Sequence, residues 1–146
     1  MNRNDPPVQY ASLFRRLAAM FYDLWLHAGI LLLGATADTF IRAGLDIEAG
    51  HFVLPLQLFF VLAPLAFYLW FWTHGGQSLG MRAWKLRVVT DEGRPLAYKD
   101  ALVRYMAACL SLAALGLGFA WQLWDRDGLT WHDRLSGTRL IRADGN

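Results

Sequence analysis

Two ionisable side chains, Asp23 and His27, interrupt the first apolar stretch of the sequence. If that stretch is a helix, both lie on the face that also carries Arg16, two turns before Asp23. An aspartate in the middle of a membrane helix is costly and marks a functional candidate. One interpretation makes Asp23 a cation or proton site, with His27 as a second titrating group. The other is a buried ion pair, with Arg104 as the partner of Asp23, that fixes the helices in register.

A second acidic side chain, Asp133, follows His132 near the end of the chain. One interpretation is that Asp133 joins Arg16 or Arg104 in a charge network. The other is that it caps a short helix that begins at Arg134. The two roles are compatible with each other.

Other kinds of chemistry are not indicated by the residues. A metal site needs several converging ligands, and we expect none here because the histidines and the single cysteine are scattered: His27, His51, His74, His132 and Cys109. The sequence has neither a glycine-rich phosphate loop between a strand and a helix nor a G-x-S-x-G elbow. We therefore expect no enzymatic activity and no cofactor. A net charge of +2 is too small to indicate nucleic-acid binding.

The elements that must position these side chains are apolar blocks. Hydrophobic residues make up 55% of the 146 and charged residues only 18%. The hydrophobic residues gather into blocks at 17–37, 53–72 and 101–124, each reaching the roughly 20 residues that a membrane helix needs. A cleaved signal peptide is the alternative for the first block, but its apolar region is longer than the usual 7–15 or so residues. We predict an all-α membrane protein, a small helical bundle forming one domain over residues 1–146.

The basic residues indicate the orientation. Several lie in the N-terminal tail and in the second loop, 73–100, whereas the first loop, 38–52, has Arg42 alone. The positive-inside rule then places the N-terminus and the second loop in the cytoplasm. A full third crossing would put the arginines after residue 124 outside, against this rule. We favour a third block that dips into the membrane and returns at the glycines near 116, and a simple third span is the alternative.

Short strands are predicted on the cytoplasmic side. Residues 84–90 alternate largely between apolar and basic side chains, and the turn at 91–94 contains a glycine. Residues 95–98 then form the second arm of a β-hairpin. Residues 138–142 also have strand character and would add a third strand if both segments lie on one side of the membrane.

The chain resembles the RDD family of bacterial membrane proteins in four motifs that occur in order from about residue 13 to residue 141. The first is Arg16, Ala19 and Asp23, and the second is Gly-Gln-Ser-Leu-Gly at 76–80 with a strand and an Asp-x-Gly turn after it. The third is Ala101 with Arg104, and the fourth is His-Asp-Arg-Leu-Ser-Gly-Thr at 132–138.

The resemblance implies a multi-pass protein of the bacterial inner membrane with a charge network of Arg16, Asp23, Arg104 and Asp133. Transport has been suggested for some members of the family, so we expect a transport-related or ion-coupling module. A structural or accessory membrane protein is the alternative. Three blocks are too few to surround a polar pathway, so besides the lipid bilayer we expect a second copy or a membrane partner protein.

Overall fold

The computed structural model describes residues 10–45 and 53–143. Helices dominate it, and two short strands form a small sheet. In chain order the elements are α1 (Leu13–Leu45), α2 (Val53–Thr73), α3 (Leu79–Ala83), β1 (Leu86–Thr90), α4 (Tyr98–Ala113), α5 (Leu117–Ala120) with a 3-10 turn at Trp121–Leu123, α6 (Trp131–Ser136) and β2 (Thr138–Arg142). The predicted helical bundle with a small sheet is confirmed.

Two helices, α1 and α2, are long and apolar enough to cross a membrane. α2 reproduces the predicted block 53–72 to within one residue. α1 is longer than the predicted block 17–37. Its 33 residues extend for about 50 Å, well beyond the roughly 30 Å thickness of the hydrocarbon core of a bilayer. The predicted first loop is therefore wrong for residues 38–45, which are helical, and its remainder, 46–52, lies outside the described residues.

Only one face of α1 is buried. It consists of Arg16, Ala19, Asp23 and His27, the spacing that the sequence placed on one side of the helix. The other faces carry exposed large apolar side chains such as Trp25 and Leu33. Such an outward surface suits lipid contact, and the polar face turns toward the protein.

The third apolar block, predicted at 101–124, is broken rather than continuous. α4 ends at Ala113, and Leu115 and Gly116 take left-handed backbone conformations with φ of 55° and 81°. The segments 98–113 and 117–123 consequently meet at a bend of 107°. Glycine accepts a positive φ without steric cost, which explains why the turn occurs at this position.

The two strands pair antiparallel, with Leu86 opposite Arg142, Val88 opposite Leu140 and Thr90 opposite Thr138. β1 precedes α4 and β2 follows α6, so the chain leaves the sheet and comes back to it. A full crossing by the third block would separate the paired strands. The returning arrangement is therefore the one that the structure has.

The predicted hairpin arm at 95–98 is wrong. The turn after β1 forms as expected, with the N–H of Thr90 donating to the carbonyl of Arg94 at 2.9 Å. Beyond it, Pro95 has no N–H for a ladder, and Asp100 accepts from the N–H of Ala97 at 3.2 Å, which starts α4. Residues 138–142, predicted as a possible third strand of the sheet, form β2 and pair with β1.

The sheet and the helix ends share one apolar core. Leu86 and Val88 of β1 and Leu140 of β2 are buried against Ala19 and Ala101. The N–H of Ala11, just before α1, donates to the carbonyl of Leu140 at 3.1 Å. The starts of α1 and α4 and the whole of α6 are thus held at the same end of the bundle.

This arrangement predicts that both chain ends lie on one side of the membrane. Reporter fusions at the N-terminus and after Asn146 should report the same compartment, and a reporter inserted between α1 and α2 should report the other. The reason is that Ala11 is hydrogen-bonded to β2, and β2 pairs with β1. Opposite compartments for the two ends would contradict the pairing of β1 with β2.

Candidate functional site

Two arginines and one aspartate form a buried cluster between three helices. Asp133 of α6 accepts from Arg16 of α1, with 2.7 Å between Nη1 and Oδ2, and from Arg104 of α4, with 2.6 Å between Nη1 and Oδ1. The exposed fractions are 3% for Arg16, 2% for Arg104 and zero for Asp133. We call these three residues the charge cluster. Each oxygen of the carboxylate binds a different arginine, so one residue links α1 to α4.

Asp133 is also part of the start of α6. Its N–H donates to Thr130 Oγ1 at 3.3 Å, and its Oδ2 accepts from the N–H of Thr130 at 3.2 Å, a reciprocal capping box. The sequence placed the helix start at Arg134, but α6 begins at Trp131 with Thr130 as its cap. The predicted helix start with Asp133 as its cap is therefore wrong, although the Asp133 side chain does take part in the capping box. The predicted charge network is found, because Asp133 binds both arginines.

The arginines have further fixed contacts. Arg104 Nη1 donates to Thr138 Oγ1 at 2.7 Å, which ties the cluster to the first residue of β2. Its guanidinium carbon lies 5.4 Å from the centre of the Trp72 ring, within cation–π range. Arg16 Nε donates to the carbonyl of Ala11 at 3.3 Å. The sequence analysis placed neither Trp72 nor Thr130 in this site, and it identified Thr138 only as part of the motif at 132–138. Thr130 stands three residues before an acid, which is a capping signal.

The cluster keeps a net positive charge. Burial alone would raise the pKa of Asp133, but the charges of Arg104 and Arg16 outweigh burial and hold that pKa well below its usual range. Burial, followed by the charge of Arg104, lowers the pKa of His132 to about 3. At neutral pH two guanidinium groups therefore face one carboxylate and one uncharged imidazole.

Asp23 lies outside the charge cluster and holds a different contact. Its Oδ2 accepts a short hydrogen bond from the Ser78 hydroxyl, and its Oδ1 accepts from the N–H of Gly80 at 2.8 Å. The predicted pairing of Asp23 with Arg104 is therefore wrong. Arg104 binds Asp133 instead. Asp23 holds α3, the short helix in the loop between α2 and β1, against α1.

Ser78 and Gly80 hold the carboxylate of Asp23, and the sequence identified them only as part of a motif. Ser78 caps α3, accepting from the N–H of Met81 at 3.2 Å. A Cβ at Gly80 would overlap the carbonyl oxygen of Ala19 and crowd Asp23 Oδ1. The serine and the second glycine of the motif at 76–80 are needed because α3 approaches the α1 backbone this closely.

His27 lies one turn beyond Asp23, as predicted. Its Nδ1 is 2.7 Å from the backbone carbonyl oxygen of Asp23, and its ring packs against Phe67 and Tyr68 of α2. Its Nε2 is buried and has no hydrogen-bond partner among the described residues. The described contact thus joins His27 to the backbone of Asp23.

A cavity of about 580 Å³ opens between α1, α2, α4 and α5, and we call it the lateral cavity. Its walls are mostly apolar, and its ionisable lining residues include Arg16, Asp23, His27, Arg104 and His132. Over residues 10–45 and 53–143, no group of three His, Cys, Asp or Glu side chains is placed to hold a metal ion. The candidate site therefore combines an apolar enclosure with a few buried polar groups.

Two apolar helices of membrane length, a returning helix pair and buried charges at one end of the bundle define a helical membrane protein. The model of the RDD family matches residues 10–137, and the chain belongs to that family. No curated protein and no solved structure shows significant similarity to it.

The charge cluster predicts a strong effect of Asp133→Asn on stability. Loss of the carboxylate charge leaves two buried guanidinium groups without a counter-ion, and removing one partner of a buried pair costs about 3–5 kcal/mol. Denaturant titration of the purified protein in detergent measures the change. Asp127→Asn is the matched control, because Asp127 pairs with Arg134 at the surface. Equal stability of the two variants would contradict the cluster.

The pKa of His132 predicts a loss of stability on acidification. The neutral imidazole is favoured in the folded state, so the unfolded state binds more protons between pH 6.5 and about 3. Stability should therefore fall as the pH is lowered through this window, by at most about 1.4 kcal/mol per pH unit. Unfolding titrations from pH 6.5 down to about 4.5 should show a shallower slope for His132→Gln. The slope should be unchanged for His74→Gln, which alters an exposed histidine, and identical slopes for all three proteins would refute the assignment.

Proposed function

We propose that this RDD protein is a multi-pass protein of the bacterial inner membrane that acts as a transport-related or ion-coupling module. In this proposal the N-terminus and the sheet face the cytoplasm, in keeping with the basic residues of the second loop. The observation that carries the proposal is that Asp23 and His27 lie on the single buried face of α1 and both line the lateral cavity. An acid and an imidazole at membrane depth are the usual elements of a proton or cation relay.

The contacts of Asp23 would link its charge to the position of α3. An ionised carboxylate is a strong acceptor for the Ser78 hydroxyl and the Gly80 N–H. Binding of a proton or cation at the carboxylate would weaken both bonds, and the loop helix would be held less firmly on α1. The Nε2 of His27, which has no hydrogen-bond partner within residues 10–45 and 53–143, supplies a second site where a proton can be held.

We further propose that the module works as a homo-oligomer or with a membrane partner protein. Two long helices and one returning pair are too few to enclose a polar pathway alone. Contact with such a partner would cover the exposed apolar side chains of α1 and α2, and contact with lipid would cover them equally well.

A structural or accessory role is the second candidate, and one observation favours it. Both carboxylate oxygens of Asp23 already accept hydrogen bonds from the protein, Ser78 and Gly80. A carboxylate held in this way can act simply to fix α3 against α1. Under this alternative the buried charges hold the fold and carry no ion.

The two candidates differ in the expected behaviour of Asp23→Asn. An ion site predicts normal folded yield and loss of flux, because asparagine keeps an acceptor for Ser78 but cannot take up a proton. Flux is measured in liposomes loaded with a pH-sensitive dye under a monovalent-cation gradient. Asp38→Asn changes the other acid described in α1, which pairs with Arg42, and serves as the control.

Ser78→Ala separates the roles further, because it removes one of the two hydrogen bonds that hold α3 to Asp23 and keeps the acid. Retained flux in Ser78→Ala with none in Asp23→Asn supports the ion site. Lost yield in Asp23→Asn, with no flux even in the unaltered protein, would exclude ion coupling. Normal yield with abolished flux would exclude the purely structural role.

A further inference from the structure

Several buried polar nitrogens remain without a partner around the lateral cavity. Within the described part of the chain, no hydrogen-bond acceptor is found for Arg16 Nη2, Arg104 Nε or the indole Nε1 of Trp72. All three residues line the cavity and are more than nine-tenths buried. An unsatisfied buried donor is costly, so this concentration of donors in one place indicates a missing acceptor.

The charge at the same place has the sign that such an acceptor would balance. Arg16 and Arg104 together carry two positive charges against the single negative charge of Asp133, and His132 is neutral at pH 7. The carboxylate of Asp23 also lines the cavity, but its oxygens bind Ser78 and Gly80, about 10 Å farther along α1. The arginine end of the cavity therefore has an excess of positive charge.

The remainder of the cavity leads away from the arginines and is lined mostly by apolar side chains, with Asp23 and His27 among the few polar ones. On α1 it continues through Met20 and Leu24 to Leu31, and on α4 through Ala108 to Leu112. From Arg16 to Leu31 the rise along the helix is about 22 Å, somewhat more than the roughly 15 Å depth of one bilayer leaflet. The cavity thus has a cationic end and an apolar end, separated by about the length of an acyl chain.

The cationic end lies at the boundary of the membrane-spanning part. Arg16 is in the first turn of α1 and Arg104 in the second turn of α4, and both adjoin the sheet through Ala11 and Thr138. A phospholipid in the leaflet on the sheet side places its phosphate at this level and its acyl chains toward the midplane. The positive charge of the arginines and their depth in the membrane therefore both fit a lipid whose phosphate lies on the sheet side.

We propose that the lateral cavity binds one anionic phospholipid, with its phosphate at Arg16 and Arg104 and one acyl chain along Met20, Leu24 and Leu112. The volume of about 580 Å³ lies in the usual range of ligand cavities, about 300–1,000 Å³. The lipid site goes beyond ion coupling and does not depend on it, because lipid binding is measured without flux.

The test is native mass spectrometry of the full chain in detergent, with phosphatidylglycerol and phosphatidylcholine of identical acyl chains at equal concentration. We expect one retained phosphatidylglycerol per chain, preferred about fivefold over phosphatidylcholine, which corresponds to about 1 kcal/mol for one net charge near the membrane surface. Equal retention of the two lipids would overturn recognition of the anionic head group.

A pair of matched variants tests the position. Ala108→Trp fills the lateral cavity, and Ala113→Trp makes the same change at an exposed residue of the same helix. Neither residue belongs to the charge cluster. The unfolding midpoint of each variant is measured to check that it folds. Lipid loss in Ala108→Trp alone supports the site. Equal lipid retention in both variants, or a lipid-free dimer that only Ala108→Trp disrupts, would overturn it.

Discussion

Two arginines buried between helices share a single carboxylate, and the rest of the structure depends on this ion cluster. Burying an unpaired charge costs several kcal/mol, so Arg16 of α1 and Arg104 of α4 are tolerated only where Asp133 reaches both. Asp133 reaches them because its capping box with Thr130 fixes the first turn of α6. The short helix α6 is thus the element that joins the first membrane helix to the returning pair.

The position of Asp133 also accounts for the path of the chain around it. For α6 to lie beside the starts of α1 and α4, the segment after α4 must turn back, and the left-handed residues Leu115 and Gly116 provide that turn. Gly137 then ends α6 in a left-handed conformation, so β2 begins directly against β1. Asp23 forms a second, separate junction with α3. The lateral cavity lies between these two junctions and has polar groups from both.

Much of this organisation follows from residue types alone. Uninterrupted hydrophobicity predicts α2 almost to the residue, and the 3.6-residue period places Arg16, Asp23 and His27 on the one buried face of α1. Other features depend on tertiary contacts that periodicity does not contain. The partner of Asp23 is set by how closely α3 approaches α1, which Gly80 permits. Residues 95–98 have strand-like side chains, but Pro95 and the capping of α4 by Asp100 decide their conformation. The strand at 138–142 pairs with β1 because the chain returns.

A double-mutant cycle between Arg16 and Asp133 tests the central claim most directly. The free energies of unfolding of the unaltered protein, Arg16→Gln, Asp133→Asn and the double variant are measured by denaturant titration in detergent. A shared buried ion cluster predicts a coupling of about 0.5–3 kcal/mol, with the double variant less destabilised than the sum of the single ones. Additive effects, with no coupling beyond the error of measurement, would contradict the account that these side chains hold the bundle together as one unit.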